Sequence, residues 1–124
     1  MTETKERPFE LFGKTVKIDA HLADGTVAVF LTINYKDGRP FEVFINTANP
    51  QLNEHMAVMT LLISRMLQGG FSLEVIAEDL FSVESAFTGH MAAGGFHPSL
   101  AARIGRELKN ANLQPELDFT DTDL

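Results

Sequence analysis

Arginines, paired glycines and a few hydroxyls are the residues of this chain with chemistry to offer, and that chemistry is the binding of an anion. Gly94-Gly95 stand shortly before His97, Pro98 and Ser99, where a helix is expected to begin. Glycine lets a backbone approach a ligand closely, and the first N–H groups of a helix attract phosphate. His90, His97, Ser99 and Arg103 are donors in the same segment. The competing role for His97 or Ser99 is to serve the helix start, because no Gly-Lys-Ser/Thr ending completes a phosphate loop. Asn46-Thr47 and Arg39 sit at the two ends of an expected strand. They could orient a ribose or a base, or Asn46-Thr47 could form a turn ahead of a helix cap at Asn49. Arg65 falls in an apolar helical line. It could grip a phosphate at a subunit boundary, pair with Glu54 or Glu78, or face solvent.

Other chemistries find less material. The four histidines, His21, His55, His90 and His97, include no pair at the i, i+4 spacing of a helical zinc motif. His90 and His97 could meet across a loop, but no third ligand is evident, so no metal is expected. No serine lies in a Gly-x-Ser-x-Gly elbow. The adjacent acids Glu78 and Asp79 point apart on a helix and suit a solvated face. With no cysteine, thiolate catalysis, disulfides and Cys-ligated metal sites are excluded. An enzyme is therefore the least favoured class, and no cofactor is implied.

The 124 residues suit one domain, and a hydrophobic fraction of 44% is ordinary for a globular protein. Ten phenylalanines, one tyrosine and no tryptophan point to a Phe-rich core. No apolar run approaches the roughly 18 residues that span a bilayer. The first residues lack a signal-peptide pattern, so a cytoplasmic location is the expectation. The net charge is −7. Residues 110–124 carry Glu116, Asp118, Asp121 and Asp123 with no Lys or Arg. The remaining body sets ten bases against thirteen acids, a net −3. Neither part has the basic footprint of a duplex-DNA binder. The acidic tail, 113–124, interleaves Leu117, Phe119 and Leu124 with its acids. It reads as a solubilising disordered segment or as a docking peptide for a basic groove on a partner.

The elements that must position the candidate residues follow from hydrophobic periodicity. Lys14–Leu22 and Val27–Tyr35 alternate with period two, and Phe41, Val43 and Ile45 continue the inward face on a third strand. Asp24-Gly25 and Lys36-Asp37-Gly38-Arg39 are short turns, so the three strands form an antiparallel meander. Asn49 and Pro50 open a helix that ends at Gly69-Gly70. Its inner stripe is Leu52, Met56, Met59, Ile63 and Leu67. A second line, Glu54, Val58, Leu61 and Arg65, calls for cover by a neighbouring helix or another subunit. Ser72 caps a second helix with an inner stripe of Leu73, Ile76, Ala77 and Leu80. Residues 84–97 read as a loop, and a third helix runs from near Pro98 to near Asn110. Phe9, Leu11 and Phe12 are candidate docking side chains in the lead-in. The fold class is α+β: a β-meander sheet of three or more strands, with a helical hairpin and a third helix on one face. The domain spans 1–112.

Several of these segments resemble one known family. Arg39-Pro40-Phe41-Glu42-Val43-Phe44-Ile45-Asn46 is similar to the strand that opens the TSCPD domain of vitamin-B12-dependent ribonucleotide reductases. Leu62-Ile63-Ser64-Arg65 with Gly69-Gly70, Val75–Leu80, and Gly94-Gly95-Phe96-His97-Pro98-Ser99-Leu100 resemble its later elements and those of related standalone proteins, over residues 39–108 in all. The cysteine of the Thr-Ser-Cys-Pro-Asp signature is missing, so any role of that thiol does not carry over. The reductase's radical chemistry resides in a large barrel that a chain of this length does not contain. The resemblance therefore implies an accessory module in deoxynucleotide metabolism, without catalysis of its own. On the residues themselves, it would assemble as a homo-oligomer, a dimer or larger, through the exposed line on the first helix, and bind a nucleotide-like anion at subunit boundaries with Arg65, the Gly94-Gly95 loop and Arg103. A ribonucleotide reductase subunit is a further partner that the resemblance implies. Two readings from other classes remain. One is a sponge that sequesters a cyclic-nucleotide or ADP-ribose-derived immune signal, by fold-level analogy. The other is a protein-interaction module that uses the acidic tail.

Overall fold

The computed structural model of the chain describes residues 7–22, 25–84, 90–92, 95–97 and 99–111, with 90–92 and 95–97 given as backbone. Strands β1 (Phe12–Leu22), β2 (Gly25–Lys36) and β3 (Arg39–Thr47) form an antiparallel sheet in the order β1-β2-β3. Helices α1 (Pro50–Gln68) and α2 (Leu73–Phe81) follow, then the short strands β4 (His90–Ala92) and β5 (Gly95–His97), then α3 (Leu100–Asn110). The fold is α+β, as the periodicity predicts. One expectation is corrected. The loop read over 84–97 contains an antiparallel pair, β4 with β5, in which His90 lies opposite His97. Three-residue strands are too short to leave a period in the sequence.

The inner sheet face is the alternation made solid. Ile18, Val29, Leu31, Ile33 and Val43 are fully buried, joined by Met56 and Ile63 of α1, Leu73 and Ile76 of α2, and Leu100, Ile104 and Leu108 of α3. Each such burial stabilises the fold by roughly 1.5–3 kcal/mol. Phe9 and Phe12 stay largely exposed, so neither docks as the lead-in pattern suggests. Arg7 docks instead, on Glu42. Among the described residues, no helix is long and apolar enough to cross a membrane.

Helix α1 begins where expected. Pro50 takes the first turn, and the Leu52 N–H donates to Asn49 Oδ1 at 2.9 Å. It ends in a Schellman motif: Phe71 N–H donates to the Met66 carbonyl and Gly70 N–H to the Leu67 carbonyl. Gly70 sits at φ +93°, a conformation that glycine adopts without strain. Between its ends α1 runs against the free edge of β3. The Ile45 N–H donates to Thr60 Oγ1 at 3.0 Å, and the Val43 N–H to Ser64 Oγ at 3.0 Å. Ser64 Oγ donates back to the Val43 carbonyl, and Gln68 Nε2 to the Phe41 carbonyl. Thr60, Ser64 and Gln68 are spaced by four, a rise of about 6 Å. Residues 41, 43 and 45 are spaced by two in a strand, about 6.6 Å. The two repeats match, so one helical line supplies the partners that a fourth strand would have given.

Helices α2 and α3 cross at a point with no room for a side chain. A Cβ on Gly105 would lie 2.8 Å from the Ala77 carbonyl oxygen and 2.9 Å from Leu80 Cβ. The end of α3 is tied to the sheet by Tyr35, whose hydroxyl donates to the Ala111 carbonyl at 2.8 Å. Burial raises the Tyr35 pKa above its ordinary value.

Replacing Ser64 by Ala removes both the acceptor and the donor that Val43 uses. The expected loss is about 1–3 kcal/mol of unfolding free energy, read as a lower urea midpoint at unchanged m-value. A Ser64→Ala protein as stable as the parent would show that the edge contact contributes nothing.

Candidate functional site

A cleft opens where the β2–β3 turn meets the α1–α2 corner. Its volume is about 730 Å³, and its lining includes Lys36, Arg39, Phe41, Phe71, Ser72 and Glu74. Each wall is shaped by local sequence. Asp37 and Gly38 both have positive φ, +54° and +80°, which makes the tight two-residue hairpin that Asp-Gly favours. The register slips just beyond it: Asn34 pairs with Glu42 but Tyr35 with Pro40, which leaves Phe41 as the extra residue of a bulge. The Lys36 ammonium lies 5.2 Å from the centre of the Phe41 ring. On the opposite wall the Schellman turn carries Phe71, 59% exposed, directly into the cap of α2. There the Glu74 N–H donates to Ser72 Oγ at 3.1 Å.

The candidate residues read from sequence fall in different places. Arg39 is exposed and lines the cleft. Arg65 is exposed on α1, three residues before its end, with no ion-pair partner among the described residues. Arg103 lies on α3, where its Nε donates to Glu107 Oε2 at 3.1 Å in an i, i+4 pair. Neither Arg65 nor Arg103 lines the cleft that holds Arg39. Thr47 serves the turn: its hydroxyl donates to the Ala28 carbonyl and accepts from the Asn49 N–H. Asn46 is exposed on the outer sheet face, opposite Phe30 in the register. Ser99 is buried and fully used. Its Oγ donates to the Val83 carbonyl at 2.7 Å and accepts from the Ala102 N–H at 2.9 Å, so it is the cap of α3. His90, Gly95 and His97 lie on the β4–β5 strands. Gly94 and the acidic tail lie outside the described residues. Among the described residues, no three His, Asp or Glu side chains come together to hold a metal.

Sequence reading missed two groups. In the sequence Lys36 reads as a turn residue and Phe41 as a strand residue, and Phe71 between the two helices carries no signal; only the α1–α2 corner brings them together. On the outer face of the sheet, Glu42 is 4% exposed yet fully partnered. Its carboxylate accepts from Arg7 Nε at 3.0 Å, from the Arg7 terminal nitrogen at 3.0 Å and from Asn34 Nδ2 at 2.7 Å. Gly13 leaves room for that amide, since a Cβ there would collide with Asn34 Oδ1. A glutamate in a strand of alternating pattern gives no sign of burial until its arginine, 35 residues away, is placed.

The sequence model of the TSCPD domain matches residues 4–112. No curated protein and no solved structure shows significant similarity to the chain.

The geometry at Ser99 separates a structural role from a ligand role. Ser99→Ala should lower stability by about 1–2 kcal/mol through loss of the cap, measured by urea unfolding. It should leave any nucleotide-induced stabilisation of the folded protein unchanged. Loss of that response in a folded Ser99→Ala protein would move the site to the start of α3.

Proposed function

The chain belongs to the TSCPD domain family, and we propose that it is a non-catalytic, homo-oligomeric binding module whose cleft takes a nucleotide-like anion. The observation that carries this reading is the lining of the cleft beside the β2–β3 turn. Lys36 and Arg39 supply two cations on one wall of an otherwise acidic protein. Phe71, largely exposed, supplies a ring for a base to stack on, and the buried Phe41 ring backs the Lys36 ammonium from below. Asp37 and Glu74 supply acceptors suited to ribose hydroxyls or base amino groups. The cleft volume falls within the roughly 300–1,000 Å³ of small-molecule sites. The reading is one of binding because the Ser72 hydroxyl serves the α2 cap and, among the described residues, no carboxylate or histidine accepts a hydrogen bond from it. The role is accessory or regulatory, in deoxynucleotide metabolism, with a ribonucleotide reductase subunit as a further partner.

The test is a thermal-shift screen of the full chain against dNTPs, NTPs, cyclic di- and trinucleotides and cyclic ADP-ribose isomers. A ligand that binds only the folded state, present at 100 times its Kd, stabilises by about 2.7 kcal/mol. That corresponds to a rise in Tm of several degrees. A dNTP or ATP response supports the accessory role, and a response confined to one cyclic signal assigns the same cleft to sequestration of that signal. Arg39→Glu, at an exposed position, should abolish the rise while leaving the unliganded Tm in place. No rise with any member of the panel would overturn the nucleotide reading.

A further inference from the structure

We propose that α1 pairs with α1 of a second copy of this chain, antiparallel about a two-fold axis, in one definite register. The pairing specifies the homo-oligomer of the proposed function but does not depend on its ligand. A chain that binds no nucleotide can still dimerise, so the two readings fail separately.

The argument begins on the side of α1 that faces away from the core. Val58 is 50% exposed, Leu61 69% and Leu62 59%, and Ala57 beside them is exposed as well. The core side of the helix, Met56 and Ile63, is already buried, and its hydroxyl line is spent on β3. No element among the described residues covers the outer stripe. An apolar stripe on the middle of a well-formed helix is a surface made for a partner.

Spacing and charge identify that partner. Glu54, Val58, Leu61 and Arg65 follow one another at intervals of four, three and four, the seam of a two-helix coil. The seam is symmetric about a midpoint between Met59 and Thr60. Reversing the helix about that midpoint sets Val58 against Leu61 of the second copy, and Leu61 against its Val58. The same reversal sets Glu54 against Arg65 and Arg65 against Glu54. Two apolar layers are thus closed at each end by an ion pair. Self-complementarity of this kind is what a two-fold interface requires, since each patch must meet its own copy. Both copies of Leu62 come to the same border of the pair and extend its apolar contact. A parallel arrangement would instead stack Glu54 on Glu54 and Arg65 on Arg65, which like-charge repulsion opposes. Neither Glu54 nor Arg65 has an ion-pair partner among the described residues, so both are available.

Sedimentation velocity of the full-length protein, with circular dichroism to confirm folding, tests the pairing. The parent should be a dimer. Leu61→Asp, at an exposed position, should remain folded and become a monomer. Glu54→Arg and Arg65→Glu should each weaken the dimer about tenfold or more, because each sets like charges together twice. The double variant Glu54→Arg/Arg65→Glu should restore it, because the swapped pair is again complementary. A monomeric parent, a dimer that survives Leu61→Asp, or a double variant no tighter than the single ones would overturn the proposal.

Discussion

The structure depends on how the free edge of β3 is satisfied. A three-stranded sheet leaves two edges, and backbone N–H and C=O groups left unpaired and away from water are costly. Here α1 closes one edge with side chains instead of another strand. Thr60, Ser64 and Gln68 meet Ile45, Val43 and Phe41 because a helical step of four matches a strand step of two. That match fixes where α1 lies and how it is rotated. The rotation turns Met56 and Ile63 into the core and leaves Val58 and Leu61 on the far side. It also sets the end of α1 near the β2–β3 turn, so the cleft is a consequence of the same contact.

Much of this was readable in the sequence. The three strands, both of the first caps, the Gly69-Gly70 stop and the outward line of α1 follow from periodicity and cap chemistry. They are local signals, and the energies behind them act within a few residues. The uncovered Val58 and Leu61 are visible for the same reason, since a helix that fills its inner stripe has no second use for them.

What stayed hidden depends on contacts distant in sequence. Ser64 reads as an ordinary helix serine, and only the position of β3 shows that it bonds both backbone groups of Val43. Glu42 reads as a solvated strand residue, and its burial rests on Arg7 and Asn34. Arg103 looks free to hold an anion until Glu107, one turn on, is seen to occupy it. Ser99 fits either a ligand or a cap in sequence, and its two hydrogen bonds decide for the cap. The cleft itself combines residues of a hairpin, Lys36–Phe41, with residues of a helix corner, Leu67–Glu74, far apart in the chain, a combination that no motif encodes.

The proposal that the β2–β3 corner binds a nucleotide-like anion is tested most directly by amide chemical shifts. Uniformly ¹⁵N-labelled protein would be titrated with the tightest ligand of the panel, and with ATP in the first instance. The account predicts saturable shifts concentrated at Lys36–Phe41 and Gly70–Glu74, with the start of α3 unchanged. Shifts centred instead on Ser99–Arg103, or none at saturating ligand, would contradict it.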